Sequence, residues 1–249
     1  MPGLNDFDKK QQKITAALIK KIKQLYNAAI IDISFFASNS PSVTGKFSLS
    51  LYPALEKAIE KKMAKMHKEL YAIVTSGIKQ SWGNANDKNN LIVDKRLASK
   101  KPSVRAKQIL YDPNLGAMNA FISRTEKGMD LPKRVWKSIK PFKNELEQGL
   151  GLGISEGKSA NAMAIDMKQY LNEPDKLFRR VRGEDGKLYL STAARNYHPG
   201  QGVYRSSYKN ALRLTRSETN IAYRTADHER WKTMVFVKGI EVKLSNNHP

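Results

Sequence analysis

Two long runs of apolar residues at helical spacing dominate the first third of the chain, and any fold must bury both stripes together. In the first run Ile14, Leu18, Ile22, Leu25, Ala29, Ile33 and Phe36 recur at steps of three and four. That spacing predicts one amphipathic helix over residues 6–36. Leu55, Ile59, Met63, Met66, Leu70, Ile73 and Ile78 repeat the pattern in a second helix, which opens with Pro53, a residue suited to a first helical turn. Residues 38–51, rich in Ser, Pro and Gly, read as the link. The pair predicts a helical hairpin or coiled arm, with Trp82 near its end and lysines on the outward faces.

Further along, residues 84–97 read as a shorter helix, and Pro102 in ASKKPSVRAKQ breaks any helix through that connector. Helices are expected around residues 114–128, in LPKRVWKSIKPFKNELEQGLGLGI with an interruption at Pro141, and in SANAMAIDMKQYL with Ala162, Ile165, Met167 and Leu171 packing. Asn172, Glu173 and Pro174 stop the last of these. LFRRVRGEDGKLYLS sets β-prone runs either side of Asp185-Gly186, a hairpin signal. NYHPGQGVYRSS reads as a loop, residues 206–232 as a charged helix, and VFVKGIEVKL as strand, turn and strand. The expected fold class is mainly α with a small β component (α+β). An elongated helical arm occupies residues 1–100, a helical region residues 101–175, and a C-terminal region with short hairpins and a long helix residues 176–249.

Lys and Arg outnumber Asp and Glu by 44 to 23, a formal charge of +21. Self-repulsion on that scale points to neutralisation by a polyanion or an acidic partner surface. The charge concentrates in one segment, where Lys176, Arg179, Arg180, Arg182, Lys187, Arg195, Arg205, Lys209, Arg213 and Arg216 face only Glu184 and Asp185. Tyr189, Tyr197, Tyr204 and Tyr208 are interleaved, a composition suited to phosphate contact with some stacking. The competing reading is a solvated charged face on a chain that is basic throughout.

Other chemistry is thinly represented. The chain has no cysteine, which excludes disulfides, thiolate catalysis and Cys-based zinc sites. No apolar run reaches the ~20 residues of a membrane span. The best candidate, residues 28–37, is interrupted by Asp32, and MPGLNDFDKK lacks the apolar stretch of a secretion signal. A cytoplasmic protein, or one assembled there, is expected. Gly157-Lys158-Ser159 imitates the tail of a phosphate-binding loop, but Leu152 stands where that motif needs glycine. An interhelical turn, with Ser155 or Ser159 capping a helix, fits better.

The segment RLTRSETNIAYRTADHERW crowds charged and polar residues into one helix. Asp227, His228 and Glu229 are adjacent and so point about 100° apart on a helix, which keeps them from sharing a metal ion. Arg224 can reach Asp227 or His228, and Arg216 and Glu218 are placed for surface ion pairs. Leu212, Ala222, Tyr223 and Ala226 supply a narrow packing stripe. No catalytic group, metal site or cofactor is therefore assigned.

That segment, followed by VKGIEVKLSNNHP, resembles the core signature of tailed-phage minor head proteins, the Mu F-like head morphogenesis group. DLPKRVWKSI and GISEGKSANAMAIDMKQYL resemble its upstream helical part, so the likeness covers residues 131–249 and, more loosely, the helical N-terminal half. The motif positions are Arg216, Glu218, Asn220, Ala222 and Tyr223, for which the resemblance implies a fold-holding role. It also implies a virion protein of the head interior or portal vertex, assembled in the host cytoplasm. Its partners would be the portal protein, genomic DNA and other head proteins. Many members continue into a Cys- and His-containing segment; with no cysteine here, no metal site transfers. Two alternatives stand beside this one. The charge also suits a non-viral DNA- or RNA-binding module, and Glu218, Asp227 and His228 are the acid/base groups that a nucleic-acid-processing enzyme would use.

Overall fold

The computed structural model describes residues 4–40, 47–173, 181–182, 184–185, 188–189 and 204–239. In chain order the helices are α1 (Leu4–Ser38), α2 (Pro53–Leu97), α3 (Val104–Leu110), α4 (Leu115–Ser123), α5 (Leu131–Ile139), α6 (Phe142–Ser155), α7 (Ala160–Asn172) and α8 (Ser207–Thr233). A single turn of tighter helix, Leu49–Leu51, leads into α2.

The fold is mainly α. Helices α1 and α2 run antiparallel, tied at one end by Lys10 Nζ to Asp87 (2.9 Å) and at the other by Lys62 to Asp32. The apolar repeats explain the pairing: Leu18, Ile22, Ala29 and Ile33 meet Leu55, Ile59, Met66, Leu70 and Ile78 in the core. Phe36, expected to pack, is 42% exposed, because the buried stripe steps from Ile33 to Ala37 instead.

α2 continues unbroken through residues 84–97, where a separate helix was expected, and reaches 45 residues, about 67 Å. Trp82 is accordingly buried in mid-helix and donates to the Pro113 carbonyl (2.9 Å). The asparagines of this stretch are hydrogen-bonding positions. Asn84 donates to the Phe7 carbonyl, and Asn89 to the Asp227 carboxylate.

α8 lies in the groove between the first two helices. It is parallel to α2, with Thr219 beside Gly77 and Asp227 beside Asn89. It is antiparallel to α1: Tyr208 meets Tyr26 at a ring separation of 5.5 Å, and Tyr223 Oη donates to Asp8 (3.1 Å). Gly77 permits this three-way approach, since a Cβ there would lie 2.5 Å from Leu18 Cδ1 and 2.9 Å from Thr219 Cγ2. One contiguous apolar cluster runs from Ile22 to Ala226. That cluster draws on α1, α2, α4, α5, α6, α7 and α8.

Only the end of the glycine stretch, residues 156–159, is an interhelical turn; Gly149, Gly151 and Gly153 belong to α6. Gly149 and Gly153, one turn apart on α6, leave room for Met167 and Met163 of α7, whose side-chain atoms occupy the space a Cβ would need. Gly157 takes the left-handed conformation (φ 65°), and Lys158 N–H donates back to the Gly153 carbonyl (2.9 Å), which closes the helix end. Ser159 then caps α7 by accepting from Ala162 N–H. On α7 the buried positions are Met163, Ala164, Met167, Tyr170 and Leu171. Ile165, expected among them, is 66% exposed, since the face is set by the glycines opposite Met163 and Met167.

The anticipated β component does not amount to a sheet. Among the described residues extended pairing is confined to β1 (Val181–Arg182) and β2 (Leu188–Tyr189), two antiparallel rungs, and one isolated bridge, Glu126 to Met129. Two rungs present too little apolar face to pack as a layer. The expected closing strands lie only partly within the described residues. Val235 and Phe236 form a turn, with Val237 N–H donating to the Met234 carbonyl, and residues 240–249 lie outside the described residues.

Candidate polyanion-binding face on the last helix

Helix α8 begins where Ser206 accepts from Lys209 N–H (3.3 Å), a standard N-cap. Its start is anchored by the buried Glu145 of α6, which accepts from Ser207 N–H (2.7 Å) and Oγ–H (2.6 Å). A carboxylate suits the positive end of a helix, yet burial pushes this one up from 4.5 to about 7. The inward face then alternates small residues with charged ones. Ala211, Ala222 and Ala226 are fully buried and bring α8 close to its neighbours.

The inward charges make contacts that sequence spacing cannot show. Glu218, 1% exposed, does not sit at the surface as expected. Arg124 Nη2 donates to both of its carboxylate oxygens (3.2 and 3.0 Å), and Arg134 Nη1 donates to Oε1 (2.5 Å). Arg134 also reaches Glu126 (2.7 Å), while Arg124 lies over the Phe121 ring at 3.6 Å. Two arginines from the α4–α5 region thereby clamp α8.

Two and a half turns further on, Asp227 accepts from Lys88 Nζ (2.5 Å) and Asn89 Nδ2 (2.7 Å), not from Arg224. Burial holds its carboxyl above the ordinary carboxylate range, against the lowering effect of Lys88 and Asn89. Arg230 donates to Asn86 (3.0 Å), Asn90 (2.9 Å) and the Leu110 carbonyl, and burial lowers its guanidinium pKa. Trp231 Nε1 donates to Asn89 Oδ1 (3.0 Å).

The outward face is basic. Arg213, Arg216, Asn220, Arg224, His228 and Lys232 are all exposed and recur at steps of three and four, a row about 28 Å long. Among the described residues Arg213, Arg216 and Arg224 make no ion pair, and Glu229 is held by Lys232 (2.7 Å).

Of the ten basic residues singled out in the sequence, Arg205, Lys209, Arg213 and Arg216 come together at the start of α8, with Arg205 and Lys209 half-buried. Arg182 stands in β1; Lys176, Arg179, Arg180, Lys187 and Arg195 lie outside the described residues. The family-motif positions divide by face. Glu218, Ala222 and Tyr223 are buried in interhelical contacts, whereas Arg216 and Asn220 are exposed. Arg224 and Lys232 extend the basic row and were missed, although their spacing from Arg213 and Arg216 carries the signal.

Glu218, Asp227 and His228 do not converge: the first two enter separate buried contacts, and His228 is on the exposed side. Among the described residues no group of three His, Asp or Glu side chains is placed to hold a metal ion. No described helix is long and apolar enough to cross a membrane. Compared with protein-family models, curated proteins and solved structures, the chain matches none.

Proposed function

We propose that this protein is a non-catalytic structural component that meets a polyanion through the outward row of α8 while the inward face of the same helix locks the body together. The observation that carries this reading is the division of charge on α8. Glu218 and Asp227 are consumed inside, and Arg213, Arg216 and Arg224 stand outside without acid partners among the described residues. Unpaired arginines along one ridge suit bidentate phosphate contact. The likeness of the Arg216–Tyr223 motif and its flanks extends the proposal to a tailed-phage minor head protein. Such a protein associates with the portal during head assembly, in the head interior or at the portal vertex, and contributes to DNA packaging or delivery.

Two measurements test it. Co-expression with the portal protein of the same phage should give a complex that co-purifies, and absence of the chain from both that complex and purified virions would remove the phage role. Duplex DNA binding should weaken steeply with salt, and the variant R213A/R216A/R224A should lower the slope of log K against log salt by about 2–3. The same ridge also suits a DNA- or RNA-binding module outside any virion. Strong sequence preference in the duplex assay would favour that second reading.

A further inference from the structure

A second basic face lies on α5. Asp130 caps this helix by accepting from Lys133 N–H (2.9 Å), and Leu131, Val135 and Ile139 are fully buried. That phase turns Lys133, Trp136, Lys137 and Lys140 outward, at steps of three, one and three, along one side of the helix. Trp136 is 39% exposed. The other two tryptophans spend their indole N–H groups on Pro113 and Asn89, while that of Trp136 has no protein acceptor among the described residues.

The indole is braced and sits beside a cleft. His67 meets it in a T-shaped contact at 5.5 Å and is itself fixed by donating from Nε2 to the Pro132 carbonyl (2.9 Å). A cavity of about 570 Å³ opens between Trp136, Met63 and Pro141, with Lys140 and Asn144 at its rim. Glu60, the acid that lines it, is already paired with Lys143 (2.9 Å). Lys133 has only a distant partner in Asp130 (3.8 Å), and Lys137 and Lys140 have none among the described residues. The face therefore offers a flat aromatic wall, polar groups at the edge of a cleft and unpaired positive charge beside it.

We infer that α5 carries a stacking site for an unpaired base of single-stranded nucleic acid, with the ring on Trp136 and the adjoining phosphates on Lys137 and Lys140. A base needs an apolar wall for its face and polar groups for its edge; Trp136 with Pro141 supplies the first and Asn144 with Lys140 the second. Duplex bases are already stacked on one another and cannot reach the indole, whereas the bases of a single strand can. The site is distinct from the row on α8, and it stands if the portal role fails.

The test uses the full chain and three probes: a short oligothymidylate, an abasic oligomer of the same length, and an acidic tyrosine-containing polypeptide. Oligothymidylate should quench the fluorescence of Trp136, a change lost in W136F, whose ring preserves packing. W136A should weaken oligothymidylate binding by roughly 5- to 150-fold and leave abasic binding unchanged, while K137A/K140A should weaken both. Equal affinity of wild type and W136A for oligothymidylate, or no quenching in the wild type, would overturn the site. Trp136-dependent binding of the polypeptide in place of the oligomer would also overturn it, assigning the cleft to a protein partner. Loss of duplex binding in R213A/R216A/R224A with unchanged quenching by oligothymidylate would leave it intact.

Discussion

Replacing Glu218 with Gln should unlock α8 from the α4–α5 region. The carboxylate is 1% exposed and accepts from Arg124 and Arg134; Arg134 is itself 8% exposed, so its charge has little access to water. Removing one partner of a buried ion pair costs about 3–5 kcal/mol, because the other charge stays buried without compensation. Arg124 is partly solvated, and Arg134 keeps its bond to the half-exposed Glu126, which places the expected loss near the lower end, about 3 kcal/mol. For a chain of this length that lowers Tm by roughly 6–12 °C. Urea unfolding followed by circular dichroism measures it directly. The double variant E218L/R134M should be less destabilised than E218Q, since an apolar pair replaces the stranded charge. A loss below ~0.5 kcal/mol for E218Q would refute the clamp, as would strict additivity in the cycle.

Three further outcomes follow from the packing. Gly77→Ala gains about 0.5–1 kcal/mol of helix propensity, but its Cβ would press on Leu18 and Thr219; overpacking at about 1–3 kcal/mol wins, and a net loss of about 1 kcal/mol in urea is expected, a stabilised variant being the contrary result. Glu145 ionises near 4.5 when unfolded and at about 7 when folded, so its ionisation opposes folding: stability should be greatest below the lower value and fall across that window by on the order of 3 kcal/mol, then level off. Urea midpoints against pH should show that decline in wild type and not in E145Q; an identical slope in both would dismiss the buried carboxyl as its source. Ser206→Ala should cost about 1 kcal/mol by removing the α8 cap, read as an earlier loss of helix on heating.

The N-terminal hairpin was legible because one physical rule, burial of an apolar stripe, acts over sequence-local spacing. Leu18, Ile22 and Ile33 on α1 and Leu55, Ile59 and Met66 on α2 obey it. The rule misplaced Phe36, where the buried stripe steps from Ile33 to Ala37, and Ile165, where it turns toward glycines on another helix. The asparagine-rich end of α2 was illegible for a different reason. Asn84 and Asn89 are weak helix formers whose partners, Phe7 and Asp227, are 77 and 138 residues away. Glu218 likewise reads as surface until Arg124 and Arg134, 94 and 84 residues upstream, are brought to it. Of the candidate basic site, the cluster was visible as composition, but its continuation through Arg224 to Lys232 depends on which side of α8 faces out, and that is set by the buried acids.

The asparagine face of α2 also has a meaning in time. Its ligands Asp227 and Arg230 are made more than a hundred residues after α2 is complete, a delay on the order of ten seconds at synthesis rates of about 5–20 residues per second. Until then the side of α2 that α8 covers is without that partner. Asn86, Asn89 and Asn90 can hydrogen-bond water while they wait, where leucines in their place would offer nascent chains a surface on which to aggregate.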